Sequence, residues 1–175
     1  MTDRAVLLSI KPKYCELIAS GKKTVEVRKT RPKIPTPFKC YIYCTKPKMI
    51  TKYVFKPEDY PEYMRPEKTI FCKVPDASSP FCSPVNGNSK VIGEFVCEHI
   101  SMNIKGYNQD GVPAYWTLLN GSCLTADELD DYGKWKMLYG LHISDLKIYD
   151  KPKELSEFGL KRPPQSWCYV QEVRK

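Results

Sequence analysis

The hydrophobic pattern is clearest in the first 30 residues, where it predicts a strand, a helix and a second strand. The apolar run at 5–10, AVLLSI, is typical of a buried strand. Pro12 suits the first turn of a helix, and Gly21 suits its left-handed end. These signals predict a short amphipathic helix between the two strands.

The second strand covers residues 24–29, where apolar and polar positions alternate. Side chains two apart share a face of a strand, so Val25 and Val27 are expected on one side. The polar side chains of the other face are Thr24, Glu26 and Arg28. A carboxylate and a guanidinium two residues apart can form an ion pair on that face.

Further strands are predicted where β-branched and aromatic residues cluster between turn signals. They are expected at 39–45, 68–74, 90–100, 136–150 and 166–173. The segment 49–89 carries repeated prolines that exclude long helices, and we interpret it as an insertion with one strand. Gly93 is expected at a bulge or a close approach.

One further helix has a clear start. Thr125 followed by Glu128 forms a capping-box pattern, and the helix is expected to end near Tyr132 and Gly133. Short strands with two or three small helices predict an α+β fold built on a small, mostly antiparallel β-barrel. We expect residues 1–175 to form a single domain that carries the 49–89 insertion.

Charge is distributed unevenly along the 175 residues. Residues 1–57 contain 14 Lys or Arg and three acids, a net charge of +11, whereas the other 118 residues contain 14 basic and 17 acidic residues, a net charge of −3. A cationic segment of this kind favours a polyanionic partner such as nucleic acid or a nucleotide; solubility alone is the alternative, but it needs no such segregation of charge.

The eight cysteines do not predict a disulfide framework or a zinc site. No two are spaced as Cys-x-x-Cys, and a leader sequence is absent, so we expect structural free thiols, no metal, no cofactor and a cytoplasmic location. No apolar run has the length of about 18 residues that a membrane span requires.

The stretch LLSIKPKYCELIASGKKTVEVRK resembles the opening motif of the ASCH domain family, within the PUA-like superfamily. The resemblance continues through CYIYCTKP, VIGEFV, LTADELDDY, LHISDLKIYDKP and PPQSWCYV. It implies a PUA-like pseudobarrel with a cleft beside the first helix, where relatives hold RNA or a modified base. Lys23 corresponds to a catalytic lysine of the family's amidohydrolases, whereas Glu26 occupies the position of their nucleophilic threonine.

The candidate residues follow from this placement. If the protein is an enzyme, the catalytic candidates are Lys23, Thr24 and Glu26. The candidates for binding RNA, a nucleotide or a modified nucleoside are Lys11, Lys23, Glu26, Arg28, Lys29, Arg31, Lys33, Trp116, Gln165 and Ser166. Cations suit phosphates, Trp116 suits base stacking, and Glu26 suits an exocyclic amine.

Three functions remain open from the sequence. The first is recognition of RNA, a nucleotide or a modified base in a basic cleft. The second is an enzyme acting on the same ligands, either an N4-acetylcytidine-type amidohydrolase or a single-strand ribonuclease. The third is a protein-interaction domain whose basic face meets an acidic partner.

Overall fold

The computed structural model describes residues 4–46, 49–75, 89–103, 116–134 and 136–173. Eight strands lie within these ranges: β1 (Arg4–Ile10), β2 (Val25–Arg28), β3 (Phe38–Cys44), β4 (Met49–Phe55), β5 (Ile70–Pro75), β6 (Lys90–Asn103), β7 (Leu138–Lys153) and β8 (Trp167–Gln171). The helices are α1 (Pro12–Ala19), α2 (Trp116–Ser122) and α3 (Ala126–Gly133). Short 3₁₀ turns occupy Pro57–Asp59, Glu62–Met64 and Leu155–Phe158.

Six strands form one curled sheet, in the order β2-β7-β6-β3-β1-β8. Every neighbouring pair is antiparallel except β1 and β3, which run parallel. The curled sheet forms a half-barrel with three helices, which confirms the predicted α+β fold with a mostly antiparallel sheet. Repeated register shifts between β6 and β7 bend these two long strands and help the sheet to curl.

The 49–89 segment contains two described strands, so the prediction of one strand there was wrong. β4 pairs with β5 in a separate antiparallel hairpin. No long helix occurs among the described residues of this segment. Pro57 and Pro61 begin short turns in the connection between the two strands, and β4 contains no proline. That the segment is an insertion in a single domain stays a prediction.

The helices pack through small apolar clusters. Cys15 and Ile18 of α1 are buried against the main sheet. Leu118 of α2 and Leu129 of α3 pack with Val25 and Val27 of β2, which fixes both helices beside that strand. Among the described residues, no helix combines the length and apolarity needed to span a bilayer.

α3 begins as the sequence predicts. Thr125 accepts a hydrogen bond from the backbone N–H of Glu128, and the Glu128 carboxylate accepts one from the backbone N–H of Thr125. The helix ends at Gly133, where Lys134 takes a left-handed conformation. This capping box holds α3 as a short helix beside the N-terminus of β2.

Candidate functional site

A cleft of about 750 Å³ opens where β1, α1, β2 and α3 meet. Its walls come from the connection between β1 and α1, from β2, from α3 and from the turn before β8. The lining residues are Ser9, Ile10, Lys11, Tyr14, Lys23, Glu26, Val27, Arg28, Lys29, Thr30, Thr45, Leu124, Glu128, Asp131, Tyr132, Gln165 and Ser166. This volume lies in the range of about 300–1,000 Å³ typical of small-molecule sites.

Three charged side chains form a buried group in this cleft. Glu26 Oε1 lies 2.9 Å from Nη2 of Arg28, and Glu26 Oε2 lies 3.3 Å from Nζ of Lys23. The side chains of Lys23, Glu26 and Arg28 are 2%, 7% and 9% exposed. The predicted Glu26–Arg28 pair is therefore present, and Lys23 joins it as a second cation.

Both cations also donate to distant backbone carbonyls. Arg28 Nη2 donates to the carbonyl oxygen of Ser9 on β1 at 2.9 Å. Lys23 Nζ donates to the carbonyl oxygen of Ser122, between α2 and α3, at 2.6 Å. The charged group thus joins β2 to two other parts of the fold, which fixes its position without help from a ligand.

This group is not fully hydrogen-bonded within the described residues. Arg28 Nε has no acceptor there, and Glu26 Oε2 makes only its ion contact with Lys23. A buried polar atom without a hydrogen-bond partner destabilises the fold by about 1–3 kcal/mol. Such atoms are few in native folds, and each one calls for an explanation such as a functional role.

Two tyrosines bring aromatic surface to the same cleft. Lys23 Nζ lies 5.2 Å from the ring centre of Tyr14 on α1, and Lys29 Nζ lies 4.7 Å from that of Tyr132 on α3. Burial, with the carboxylates of Glu128 and Glu26, raises the pKa of Tyr14. Its phenol therefore remains a hydrogen-bond donor at neutral pH.

The charge of the cleft is mixed. The lining includes the four cations Lys11, Lys23, Arg28 and Lys29 and the three carboxylates Glu26, Glu128 and Asp131. The acids other than Glu26 come from α3, whereas the cations come from the first 29 residues. The acidic groups of the lining other than Glu26 therefore belong to a single element, α3.

Most of the residues singled out from the sequence lie together. Lys11, Lys23, Glu26, Arg28, Lys29, Gln165 and Ser166 all line the cleft. Thr24 is exposed and does not line it; its backbone N–H donates to Gly121 and its carbonyl accepts from Ile143. Arg31 and Lys33 are exposed on the adjoining loop. Trp116 begins α2, but its side chain lies outside the described residues.

The sequence reasoning missed the contribution of α3 and of Tyr14. Glu128 was recognised only as a helix-capping residue, and Asp131 and Tyr132 lie one turn later on the same helix. Tyr14 is not among the candidates named from the sequence. The spacing of Glu128, Asp131 and Tyr132 on one helical face is the signal that was available.

The site holds no arrangement typical of a metal centre or a nucleophilic triad. In the described part of the chain, no three His, Cys, Asp or Glu side chains are placed to hold a metal ion. His99 and His142 stack on each other at a ring-centre distance of 3.7 Å and do not line the cleft. The available chemistry is ion pairing, hydrogen bonding and ring stacking.

Comparison with known proteins identifies the fold and the opening motif. Residues 8–77 match the ASCH domain family. This match confirms the resemblance first seen in the opening motif, and it extends through the β4–β5 hairpin. No curated protein matches the chain.

The solved structures similar to this chain include the crystal structure of ASCH from Zymomonas mobilis. That structure is 19% identical, with a TM-score of 0.59, and the alignment covers 97% of this chain and 90% of the other. A serine-to-alanine mutant of the same bacterial protein aligns at 20% identity and a TM-score of 0.59, over 98% and 92% of the two chains. At this identity the similarity shows a shared ASCH fold.

Proposed function

We propose that the cleft binds a nucleotide, as part of RNA or as a modified nucleoside, with its base beside Glu26 and Arg28. The observation that carries this proposal is the buried Lys23–Glu26–Arg28 group in a cleft of about 750 Å³. Desolvating three charges costs several kcal/mol per ion before pairing offsets it, so a buried charged group that lines a cleft is a candidate functional site.

The chemistry of the lining suits a base and its phosphate. A carboxylate accepts from an exocyclic amine, and a guanidinium donates to a ring nitrogen or a carbonyl oxygen. Tyr14 and Tyr132 offer ring faces for a base, and Lys11 and Lys29 are exposed at the cleft for a phosphate. Gln165 and Ser166 add an amide and a hydroxyl from the turn before β8.

Two contacts weigh against an enzyme that uses Lys23 as its base. Lys23 already donates to Ser122 and pairs with Glu26, whereas a general base needs an amine lone pair directed at the substrate. Thr24, the substitute nucleophile, lies outside the cleft lining. An enzyme that hydrolyses N4-acetylcytidine or single-stranded RNA is therefore the competing hypothesis. A protein-interaction domain that binds an acidic partner is the third hypothesis. A cytoplasmic location stays a prediction.

The proposal is tested by calorimetric titration of the four nucleoside monophosphates, N4-acetylcytidine and a short single-stranded RNA. Binding of the single-stranded RNA should weaken steeply as salt rises from about 50 to about 200 mM, whereas binding of N4-acetylcytidine, which carries no phosphate, should not. The double variant Lys11→Gln, Lys29→Gln should weaken it further and lower the salt dependence, because each lost phosphate contact reduces the slope by about 1. The matched control is Lys151→Gln, an exposed lysine of β7 away from the cleft.

Three outcomes would overturn this proposal. One is no binding of any of these ligands; a second is binding that the cleft variant leaves unchanged. The third is turnover of N4-acetylcytidine or of RNA that Lys23→Ala abolishes, which would make the protein an enzyme. Mass spectrometry of the titrated ligands detects such turnover directly.

A further inference from the structure

Two loops next to the cleft carry cations that are not part of the cleft lining. The loop after β2 places Arg31 and Lys33 in solvent, and the turn before β8 does the same for Lys161 and Arg162. These four side chains are called the cationic ridge below. Neither 29–39 nor 158–171 contains an Asp or a Glu.

The two loops are fixed to each other. Trp167 Nε1 donates to the carbonyl oxygen of Thr30 at 3.2 Å and lies 3.0 Å from its hydroxyl oxygen. The backbone N–H of Lys33 donates to the hydroxyl of Tyr169 at 2.6 Å. Because Trp167 and Tyr169 belong to β8, the ridge is held as one surface by the main sheet.

The same loops are fixed to the cleft. Ser9 Oγ donates to the carbonyl oxygen of Pro164 at 2.6 Å, and the Ser9 backbone N–H donates to Ser166 at 2.9 Å. The Ser9 carbonyl in turn accepts from Arg28. Thr30 and Gln165 line the cleft, so the ridge begins where the cationic wall of the cleft ends.

The ridge cations are available for a ligand. The nearest acid along the chain beyond β8, Glu172, pairs with Lys39 at 2.7 Å. Within the described residues, no carboxylate lies in ion-pair contact with Lys33, Lys161 or Arg162. Arg31 Cζ lies 6.0 Å from the centre of the Tyr139 ring.

Another element that lines the cleft, α3, has the reverse charge. α3 carries Asp127, Glu128, Asp130 and Asp131 on eight residues, all of them exposed. A polyanion that enters the cleft is repelled by α3 and attracted by the ridge. The Coulomb interactions between a polyanion and these exposed side chains are strong at low salt and screened at high salt.

We propose that the cationic ridge binds the phosphates of a single-stranded RNA whose base occupies the cleft, so that the strand leaves the cleft away from α3. This inference rests on the proposed function and deepens it: the natural ligand is a polymer of several nucleotides and not a free nucleoside. The prolines Pro32, Pro163 and Pro164 flank the cations, which limits the loop entropy lost on binding.

The experiment compares two ligands on two double variants. The ridge variant is Lys161→Gln, Arg162→Gln, and the matched control is Lys147→Gln, Lys151→Gln, which removes two exposed cations of β7. The ligands are a nucleoside monophosphate and a single-stranded RNA of about eight nucleotides, within the site sizes common for such proteins. Fluorescence anisotropy or calorimetry gives both affinities at several salt concentrations.

The ridge variant should bind the RNA about 10-fold more weakly at low salt, with the slope of log affinity against log salt reduced by about 1.4. Its affinity for the monophosphate should be unchanged, and the control should bind both ligands as the wild type does. Equal RNA binding by the ridge variant and the wild type would overturn the proposal. So would equal losses in the ridge variant and the control, because general charge would then explain them.

The two proposals fail in different ways. If the wild type binds the monophosphate but binds RNA no more tightly, the ridge proposal is wrong and the proposed function stands. If neither ligand binds, the proposed function is wrong as well. If a heparin fragment binds through the ridge while RNA does not, the ridge serves another polyanion and the RNA proposal is overturned.

Discussion

Glu26 Oε1 lies 2.9 Å from Nη2 of Arg28, and that same nitrogen donates to the carbonyl of Ser9 at 2.9 Å. One guanidinium therefore connects β2 to β1, which are not neighbours in the sheet. Glu26 balances one of the two cations beside it, and Lys23 adds the second. Lys23 and Arg28 thus both depend on the Glu26 carboxylate for charge balance.

Replacing Glu26 with Gln should destabilise the fold by about 3 kcal/mol, because it leaves two buried cations without a counter-ion. Urea unfolding followed by circular dichroism measures the change in the free energy of unfolding. The control is Lys90→Gln, which breaks the exposed Lys90–Glu154 pair and should change that free energy by less than about 1 kcal/mol.

Lys23→Met should destabilise the fold less than Glu26→Gln does. It leaves a charge-balanced Glu26–Arg28 pair, although it removes the donor to Ser122, the ion contact with Glu26 Oε2 and the contact with the Tyr14 ring. The same urea experiment ranks the two variants. A larger loss for Lys23→Met would mean that the link to Ser122, and not charge balance, holds the group together.

Gly140→Ala should destabilise the protein by about 2 kcal/mol through overpacking. A Cβ at this position of β7 would lie 2.4 Å from Leu118 Cδ2 and 2.8 Å from Val25 Cγ1. At this position α2 and the neighbouring strand β2 both pack closely against β7. Gly21→Ala is the control: it has open space around it, and its φ of +73° costs only about 1 kcal/mol.

The clash at Gly140 is checked by a double-mutant cycle. Leu118→Ala removes the nearest atom, so the loss in the double variant should be smaller than the sum of the two single losses by about 1 kcal/mol. Additive losses would contradict the geometry. Urea unfolding of the four proteins completes the cycle.

Much of the fold could be predicted because local patterns decide it. The alternation of 24–29, Pro12 and Gly21 at the ends of α1, and the capping box of Thr125 and Glu128 all act within a few residues. Strand partners are decided differently. Val25 pairs with His142, and Val6 of β1 runs parallel to Cys40, so these pairings depend on the whole core and not on neighbouring residues.

In the candidate site, too, some residues are placed by a local sequence pattern and others only by tertiary packing. Lys23, Glu26 and Arg28 could be placed together because one short strand and the residues just before it carry them. Tyr132 could not, because it reaches the cleft only when Leu129 packs against the valines of β2. The acidic wall on α3 is therefore a product of tertiary packing.

The thiols should differ strongly in reactivity. Burial raises the pKa of Cys97 to about 12 and raises that of Cys40 well above its usual value, so neither forms a thiolate at neutral pH. Cys123 is exposed, and its Sγ donates to the carbonyl oxygen of Lys22 at 3.3 Å. Iodoacetamide should alkylate Cys123 at least about 100-fold faster than the other two.

Peptide mass spectrometry at increasing reaction times gives the rate for each thiol separately. The unfolded protein in urea is the control, since there all three cysteines should react at similar rates. Rapid alkylation of Cys40 or Cys97 in the folded protein would contradict the burial of β3 and β6. Cys82, the eighth cysteine, lies outside the described residues.

The stacked histidines should make stability fall as pH drops below about 6.5. Burial, with the neighbouring ring of His99, lowers the pKa of His142 below its usual value of about 6.5. The unfolded chain then binds a proton in a range where the folded protein does not, so acid favours unfolding. One proton of difference gives a slope of at most about 1.4 kcal/mol per pH unit.

The measurement is the free energy of unfolding at about pH 7.5 and about pH 5.5, a range above the usual pKa values of Asp and Glu. His142→Gln should reduce the difference between the two values, because Gln can still reach Ser101 Oγ, 3.0 Å from His142 Nε2, but does not titrate. His99→Gln should reduce it less, since burial is the larger cause of the lowered pKa. An unchanged difference in His142→Gln would mean that other groups determine the acid sensitivity of the fold.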